Sequence, residues 1–406
     1  MKILQITPRL PYPLVDGGSI ESYNTIKYLA LRRHDITLIS LVVERKKVPE
    51  LEKYCKLISI EKDTKNNFLG YIFNIFSNTP YTISKYLSNN IKKEIRELLK
   101  KDKYDIVVLN QLHTAYYGIF IKEEFNMPVV LREQNVETII MKRFYKNNKD
   151  LLIKLYAYLQ YKKLYRYESK ICKIFDRCIM ITKNDEKIIK KMNSNIKTNI
   201  IPAGVDTSYF SPIKVQEEAF SIVSVASMDW LPNAEGITWF CDEIYPLIVK
   251  VIPKVRLYVV GKNPSKIIKK LNNRNNIIVT GYVKDVRKYF AKGQVFIVPL
   301  KTGGGMRIKI LQALAMKKAI VSTSIGCEGI DVINGKNIYI ADDEKEFAKK
   351  IIFLLNNESE RRKIGEEGIK LVEKKYRWER IVEDLETEYK AIINENKVKK
   401  QKYNSY

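Results

Sequence analysis

VFIVPLKTGGGMRIKILQALAMKKAIVS, residues 295 to 322, is where two backbone periodicities meet most plainly. Val295, Phe296, Ile297 and Val298 form a β-branched and aromatic run that fits a buried strand, and Pro299 stops it. Gly303, Gly304 and Gly305 let the chain turn tightly without a Cβ penalty. A helix is expected from about Met306, because Ile308, Leu311 and Ala315 are spaced three and four apart and share one face; Ala319, Ile320 and Val321 then resume a strand. Such a strand-loop-helix-strand unit presents free backbone N–H groups at the helix start, where the positive end of the helix dipole attracts an anion. Arg307 and Lys309 add two full charges there. Cations in a first turn oppose the dipole, so their placement points to site chemistry, a diphosphate in front of the helix, and not to stability. A Gly-rich turn into a solvated helix with two surface cations is the plainer alternative for the turn alone.

Outward from this unit, short apolar runs alternate with helical stretches, at 3–6, 36–43, 106–109, 128–131 and 178–181. A second series follows at 222–225, 256–260, 277–279, 295–298, 320–321 and 338–340. Strands alternating with helices imply a parallel sheet covered on both faces, so two doubly wound α/β domains are expected. Pro202 and Gly204 place the linker at about 200–218. Ligands in such folds lie beyond the carboxyl ends of the strands, which here implies a cleft between the domains.

The 406 residues allow two such domains. The net charge of +26 calls for an anionic partner such as a nucleotide, an anionic lipid or a nucleic acid, although a Lys-rich proteome would give the same surplus. No nucleic-acid recognition module accompanies it. Five cysteines without a CxxC pair, and only two histidines, argue against a zinc site and for reduced thiols in the cytoplasm. Pro8 interrupts any signal-peptide core, and no apolar run reaches the roughly 18 residues of a membrane span.

Two segments are compositionally unusual. The aromatic stretch 67–88 is short and interrupted, so a buried or partly exposed helix is expected there. Residues 141–174 interleave Lys and Arg with Tyr145, Tyr156, Tyr158, Tyr161, Tyr165 and Tyr167. One long amphipathic helix with a solvated basic face is the expectation, with base stacking or an anionic membrane surface as functional alternatives.

Eight segments in order resemble one family: PRLPYPLVDGGSIESYN at 8–24, LREQNVET at 131–138, IPAGVDTSYFSP at 201–212, SMDWLPNAEGITWF at 227–240, LYVVGKNP at 257–264, TGYVKDV at 280–286, GGGMRIKILQALAMKKAIVSTSIGCEGI at 303–330 and YRWERI at 376–381. The chain is similar to family 4 retaining glycosyltransferases of the GT-B fold. That resemblance implies an acceptor-binding Rossmann-like domain at 1–204 and a nucleotide-sugar domain at 205–375. It also implies a helix at 376–393 that crosses back to the first domain; a disordered tail at 394–406 is expected from its polar, basic composition. Catalytic roles fall on Arg307 and Lys309, which would neutralise the leaving diphosphate, and on His113, in a loop past the 106–109 strand, where a structural role is an equal alternative. Donor contacts would come from Gly17 and Gly18, through main-chain N–H groups, and from Gly304, Gly305 and Gln312. Tyr282 and Val283 would border the base; Glu328 would reach sugar hydroxyls, or else cap a helix.

Departures from the family bear on the chemistry. Its two Glu residues eight apart are replaced here by Gly304 and Gln312, and an amide holds a ribose hydroxyl less strongly than a carboxylate. The Arg and Lys common after the first donor-domain strand are absent, since that stretch reads Ser227, Met228, Asp229, Trp230, which places the phosphate work on Arg307 and Lys309. Gln134 stands where His is common, removing proton chemistry from that position. No DxD motif in a convincing context appears. The expected activity is metal-independent, cofactor-free transfer of a sugar, with retention, from a nucleotide diphosphate to a glycan or lipid-linked glycan, in the cytoplasm or peripherally at the inner membrane face. A catalytically silent GT-B binder of nucleotide sugar and a GT-B epimerase stay open.

Overall fold

A computed structural model describes residues 1–45, 47–274 and 276–404. The chain divides into two compact units, one of Met1–Pro202 together with the segment from Ile381 on, the other of Ala203–Arg380.

The first unit is built on seven strands, β1 (Lys2–Thr7), β2 (Asp35–Val42), β3 (Lys56–Glu61), β4 (Ile106–Asn110), β5 (Val129–Glu133), β6 (Arg177–Met180) and β7 (Thr198–Ile200), in the order β3-β2-β1-β4-β5-β6-β7. Every pairing is parallel; Ile3, for example, sits opposite Ile36 on one side and Ile106 on the other. All five residues of β4 are buried, as expected of a strand covered on both faces. The expected runs place β1, β2, β4, β5 and β6 to within a residue or two. β3 and β7 were not anticipated, because both are edge strands: KLISIE is mostly half-exposed and TNI has three residues.

The second unit repeats the scheme with β8 (Ser221–Val225), β9 (Arg256–Val260), β10 (Ile277–Gly281), β11 (Val295–Val298), β12 (Ala319–Ser322) and β13 (Tyr339–Ile340), all parallel, in the order β10-β9-β8-β11-β12-β13. Two parallel, helix-covered sheets of this kind are two Rossmann-like domains, as the resemblance implied. In each, the strand order reverses at one point, between β1 and β4 and between β8 and β11. In folds of this kind, ligands bind beyond the carboxyl ends of the strands at such a reversal point.

Three helical expectations need correction. The 141–174 stretch is two helices, Glu137–Asn147 and Leu151–Ile171; Asp150 accepts the backbone N–H of Ile153 at 3.0 Å and so starts a new helix instead of continuing the old one. The 67–88 stretch holds two short helices in place of one, Phe68–Asn74 and Tyr81–Ser84, with Tyr81 buried while Phe68 and Phe76 are 75% and 87% exposed.

The last helix spans Trp378–Asn404, starting two residues after Tyr376 and running through most of the expected disordered tail. From Trp378 on it contains no Gly or Pro, and its lysines, glutamates and glutamine are good helix formers, so polarity alone does not end it. Ile381, Leu385, Tyr389 and Ile392 are fully or almost fully buried at helical spacing. Arg177 Nε donates to Glu388 at 2.6 Å and Arg32 Nε to Glu386 at 2.7 Å, tying this helix into the first unit.

Candidate functional site

In the second unit the decisive loops leave β8 and β11, neighbours at the point of reversal. After β8 the chain runs through Ser227–Trp230 into the helix Leu231–Trp239. Gly236 on that helix lies so close to β11's exit that a Cβ would come within 2.4 Å of the Pro299 carbonyl oxygen. The helix is thereby pressed against the glycine loop. Gly303 has φ +126 and Gly305 φ +74, conformations that side chains rarely adopt, and a Cβ on Gly303 would meet Arg307 Nη2 at 2.6 Å and the Trp230 ring at 3.0 Å.

These turns keep the chain non-helical longer than expected. The helix is Ile308–Ala315, so Arg307 occupies the position before its first residue instead of lying inside the first turn. Arg307 is buried, 6% exposed; its Nη1 donates to the carbonyls of Gly304 and of Gly305, the latter at 2.7 Å, and its guanidinium lies 5.3 Å from the Trp230 ring centre. Lys309 Nζ donates to Asn233 Oδ1 at 2.9 Å. Burial first, and the neighbouring Arg307 charge second, bring the Lys309 ammonium down to about 7. Two cations are therefore held together, by glycine carbonyls, an indole and an amide, at a helix start where an anion is favoured.

Other expected donor residues are spread along the same carboxyl edge of the sheet. Gln312 is half-buried one turn further into the Ile308–Ala315 helix. Tyr282, beyond β10, is 77% exposed, whereas Val283 packs into the core around Phe290 and Phe296. Glu328 follows β12 in a turn where its N–H donates to the Ile325 carbonyl at 3.4 Å. Among the described residues no group of three or more His, Cys, Asp or Glu is placed to hold a metal ion.

The first unit also gathers polar groups where its strand order reverses. Gly17 and Gly18 begin the helix Gly17–Leu31, capped by Asp16, whose carboxylate accepts from Ser19 N at 2.9 Å. A Cβ on Gly18 would come within 2.9 Å of Gln134 Oε1 and 3.0 Å of Gln111 Nε2. Gln111, just past β4, adopts φ +67 and ψ 151, a region that costs a non-glycine residue of order 1–3 kcal/mol. Its amide donates to Gln134 Oε1 at 2.8 Å. Gln134 passes the interaction on, donating to Glu21 at 2.7 Å; Glu21 in turn holds Arg132 at 2.8 Å, each of that pair 1% exposed. Arg132 also donates to the carbonyls of Ile201 and Pro202, at 2.5 and 3.1 Å.

His113 lies in a short turn, Leu112–Thr114, with its ring 4.9 Å from that of Tyr86. Burial, aided by the charges of Lys85 and Arg9, lowers it to about 4, so the imidazole is neutral at pH 7. Its Nδ1 is buried without a hydrogen-bond partner among the described residues. A neutral ring of this kind can donate or accept a hydrogen bond but is a poor acid.

Trp230, Asn233, Glu21, Gln111 and Arg132 were not singled out from the sequence. Their partners are supplied by strand order, across separations such as 76 residues for Lys309 and Asn233 or 111 for Arg132 and Glu21. The strand-proximal position of Gln111, next to His113, was the only local signal.

Comparison with known proteins bears on this geometry. Residues 219–357, within the second unit, match the family model of glycosyl transferases group 1. Over 97% of the chain, and the whole of the relative, it is 24% identical to an uncharacterized 44.6 kDa protein in the cps region of Klebsiella pneumoniae. A shorter similarity, 30% over 131 residues, covering 32% of this chain and 34% of the relative, joins it to the capsular polysaccharide biosynthesis glycosyltransferase CapM of Staphylococcus aureus. Among solved structures, Anabaena HepE in complex with UDP-glucose superposes with a TM-score of 0.68 at 13% identity, covering 96% of this chain and all of the other.

Proposed function

We propose that the chain, whose residues 219–357 match the glycosyl transferases group 1 model, is a glycosyltransferase that moves a sugar from a nucleotide diphosphate to a glycan or lipid-linked glycan, with retention and without a metal, in the building of a surface or exported polysaccharide. The observation that carries this reading is the pair Arg307 and Lys309, gathered at the glycine loop where the second sheet reverses its strand order. A diphosphate at the helix start would meet two cations and the backbone N–H groups together. Lys309, about half-protonated at pH 7, would take up the rest of its proton as the anion arrives, and stabilisation would grow as charge develops on the leaving group. The two side chains would supply the positive charge that a divalent ion supplies on a diphosphate elsewhere. Retention follows if an oxygen of the departing diphosphate accepts the proton of the acceptor hydroxyl on the same face, which requires no protein nucleophile.

Anabaena HepE's UDP-glucose supports a nucleotide-sugar donor, and CapM's capsular role supports a polysaccharide product. The reaction needs no bound cofactor beyond its donor. We place it in the cytoplasm, with a peripheral seat on the inner face of the membrane. Gln312, in place of a charged ribose ligand, favours one other reading, a protein that binds nucleotide sugar without turning it over.

Arg307→Ala and Lys309→Ala should each lower kcat/KM by about 10²–10³ while leaving the circular dichroism spectrum intact. Product anomers followed by NMR should keep the configuration of the donor, and EDTA should leave turnover unchanged. Unaltered turnover in both variants would overturn the site; loss with EDTA and recovery with Mg²⁺ or Mn²⁺ would overturn metal independence. Donor binding with neither transfer nor acceptor-free hydrolysis would favour the silent protein.

A further inference from the structure

One exposed surface of the first unit that the proposed site does not use is apolar. Phe68, Phe73 and Phe76 are 75%, 72% and 87% exposed, and Leu151, Leu152 and Leu155 are 78%, 80% and 67% exposed. Single exposed apolar side chains are ordinary, but a cluster rimmed by charge marks a surface built to meet something. These two groups belong to one place. Tyr71 stacks edge-on against Tyr156 with ring centres 5.6 Å apart, Gln160 donates to Asn74 Oδ1 at 2.9 Å, and Lys163 Nζ donates to the carbonyls of Asn74 and Ile75 at 2.5 and 3.2 Å. Polar anchors thus fasten the Phe68–Asn74 helix and the turn after it to the side of the Leu151–Ile171 helix, while the phenylalanines and leucines face out.

Charge narrows the choice of occupant. From 64 to 88 there is no acidic residue, and from 138 to 167 the only one is Asp150, whose carboxylate is used in capping. Lys65, Lys146, Lys149 and Lys154, within about five residues of these apolar side chains in sequence, are exposed. Apolar tips ringed by lysines match an anionic bilayer, where rings and leucines reach the boundary of headgroups and acyl chains while ammonium groups meet phosphates. No helix among the described residues is long and apolar enough to cross a membrane.

We propose that this face, formed by the Phe68–Asn74 helix, the turn to Phe76 and the first turns of the Leu151–Ile171 helix, docks the protein on an anionic membrane. The proposal deepens the transferase reading, on which it rests for its purpose, by bringing the first unit to the surface where a lipid-linked acceptor lies.

Flotation of the full chain with vesicles tests it. Binding should be seen with phosphatidylcholine–phosphatidylglycerol vesicles, be weaker with phosphatidylcholine alone, and decline as salt screens the lysines. Phe73→Ser with Phe76→Ser, and separately Leu151→Ser with Leu152→Ser, should each lower the partition coefficient about tenfold or more, because the side chains removed are those that enter the lipid. Lys146→Glu with Lys149→Glu and Lys154→Glu should abolish the preference for anionic vesicles. All these positions are exposed, so the fold should survive, and calorimetry with UDP and GDP should give the wild-type affinity in every variant. Absent wild-type binding, unchanged binding in the serine variants, or a concentration-dependent dimer in sedimentation that those variants dissolve would overturn the proposal, the last in favour of a second copy of the chain. Nucleotide affinity, measured separately, shows whether the transferase reading fails on its own.

Discussion

Arg132 and Glu21 in the first unit are each 1% exposed and meet at 2.8 Å, whereas Arg307 and Lys309 in the second bring like charges to one loop, where Lys309 is held by an amide. The first arrangement is balanced. Arg132 spends its donors on a carboxylate and two carbonyls, and Gln134 and Gln111 extend the network to the start of the Gly17–Leu31 helix. In the second, burial first and the neighbouring Arg307 charge second push Lys309 toward the neutral amine. Balanced buried charge fixes a structure; like charges brought to a helix start suit the diphosphate that the proposed function places there. The two places should therefore fail differently when altered.

Removing Arg132 should be the most damaging change to folding. Arg132→Ala leaves Glu21 buried without its counter-charge, and a loss of about 3–5 kcal/mol is expected in urea unfolding. Glu21→Gln combined with Arg132→Met should recover much of it. A loss under 1 kcal/mol for the single variant would show that the buried pair does not hold the first unit together.

The second unit should behave in the opposite sense. Lys309 binds fewer protons when folded than unfolded between about 7 and its ordinary value of 10.5. Stability of the ligand-free protein should then rise with pH across that window relative to Lys309→Met, and the difference between the two should be flat below pH 7. Melting temperatures of both proteins at pH 6, 7, 8.5 and 9.5 measure this. A pH-independent difference would mean that the ammonium is better solvated than its surroundings indicate.

Gln312→Glu is the finest probe of the comparison. If the donor lies along the Ile308–Ala315 helix, a carboxylate there should hold a ribose hydroxyl more firmly and tighten binding by about 1 kcal/mol. Calorimetry that finds unchanged affinity for both Gln312→Glu and Gln312→Ala would remove the ribose from this residue.

Much of the fold was legible because central parallel strands are apolar on both faces and the helices between them carry a different period. The stretch 295–322 contains both signals and a glycine turn, and its strand and helix fall within about two residues of their expected limits. Edge strands lack the signal: β3 mixes polar residues with apolar ones, and β7 is too short for a pattern. The break between the Glu137–Asn147 and Leu151–Ile171 helices was encoded in Asp150, but a capping residue amid helix formers is easily absorbed into a longer helix. The glycine loop and its two cations were visible locally. Asn233 and Trp230 were not, because the order of strands, a non-local property, brings them to that loop. Nor could a positive φ at Gln111 be inferred from a residue type that usually avoids it.

The last helix has a consequence for the order of events during synthesis. Its residues from Ile381 on complete the core of the first unit, where Tyr389 is buried beside Arg132 and Glu21. A nascent chain that has passed Pro202 therefore carries a nearly finished domain with one face bare. It must wait while the ribosome adds the whole second unit, roughly 10–40 s at ordinary elongation rates. During that interval the exposed face is a target for chaperones, and a ribosome stalled before Ile381 would release a protein whose two domains differ sharply in their resistance to proteases.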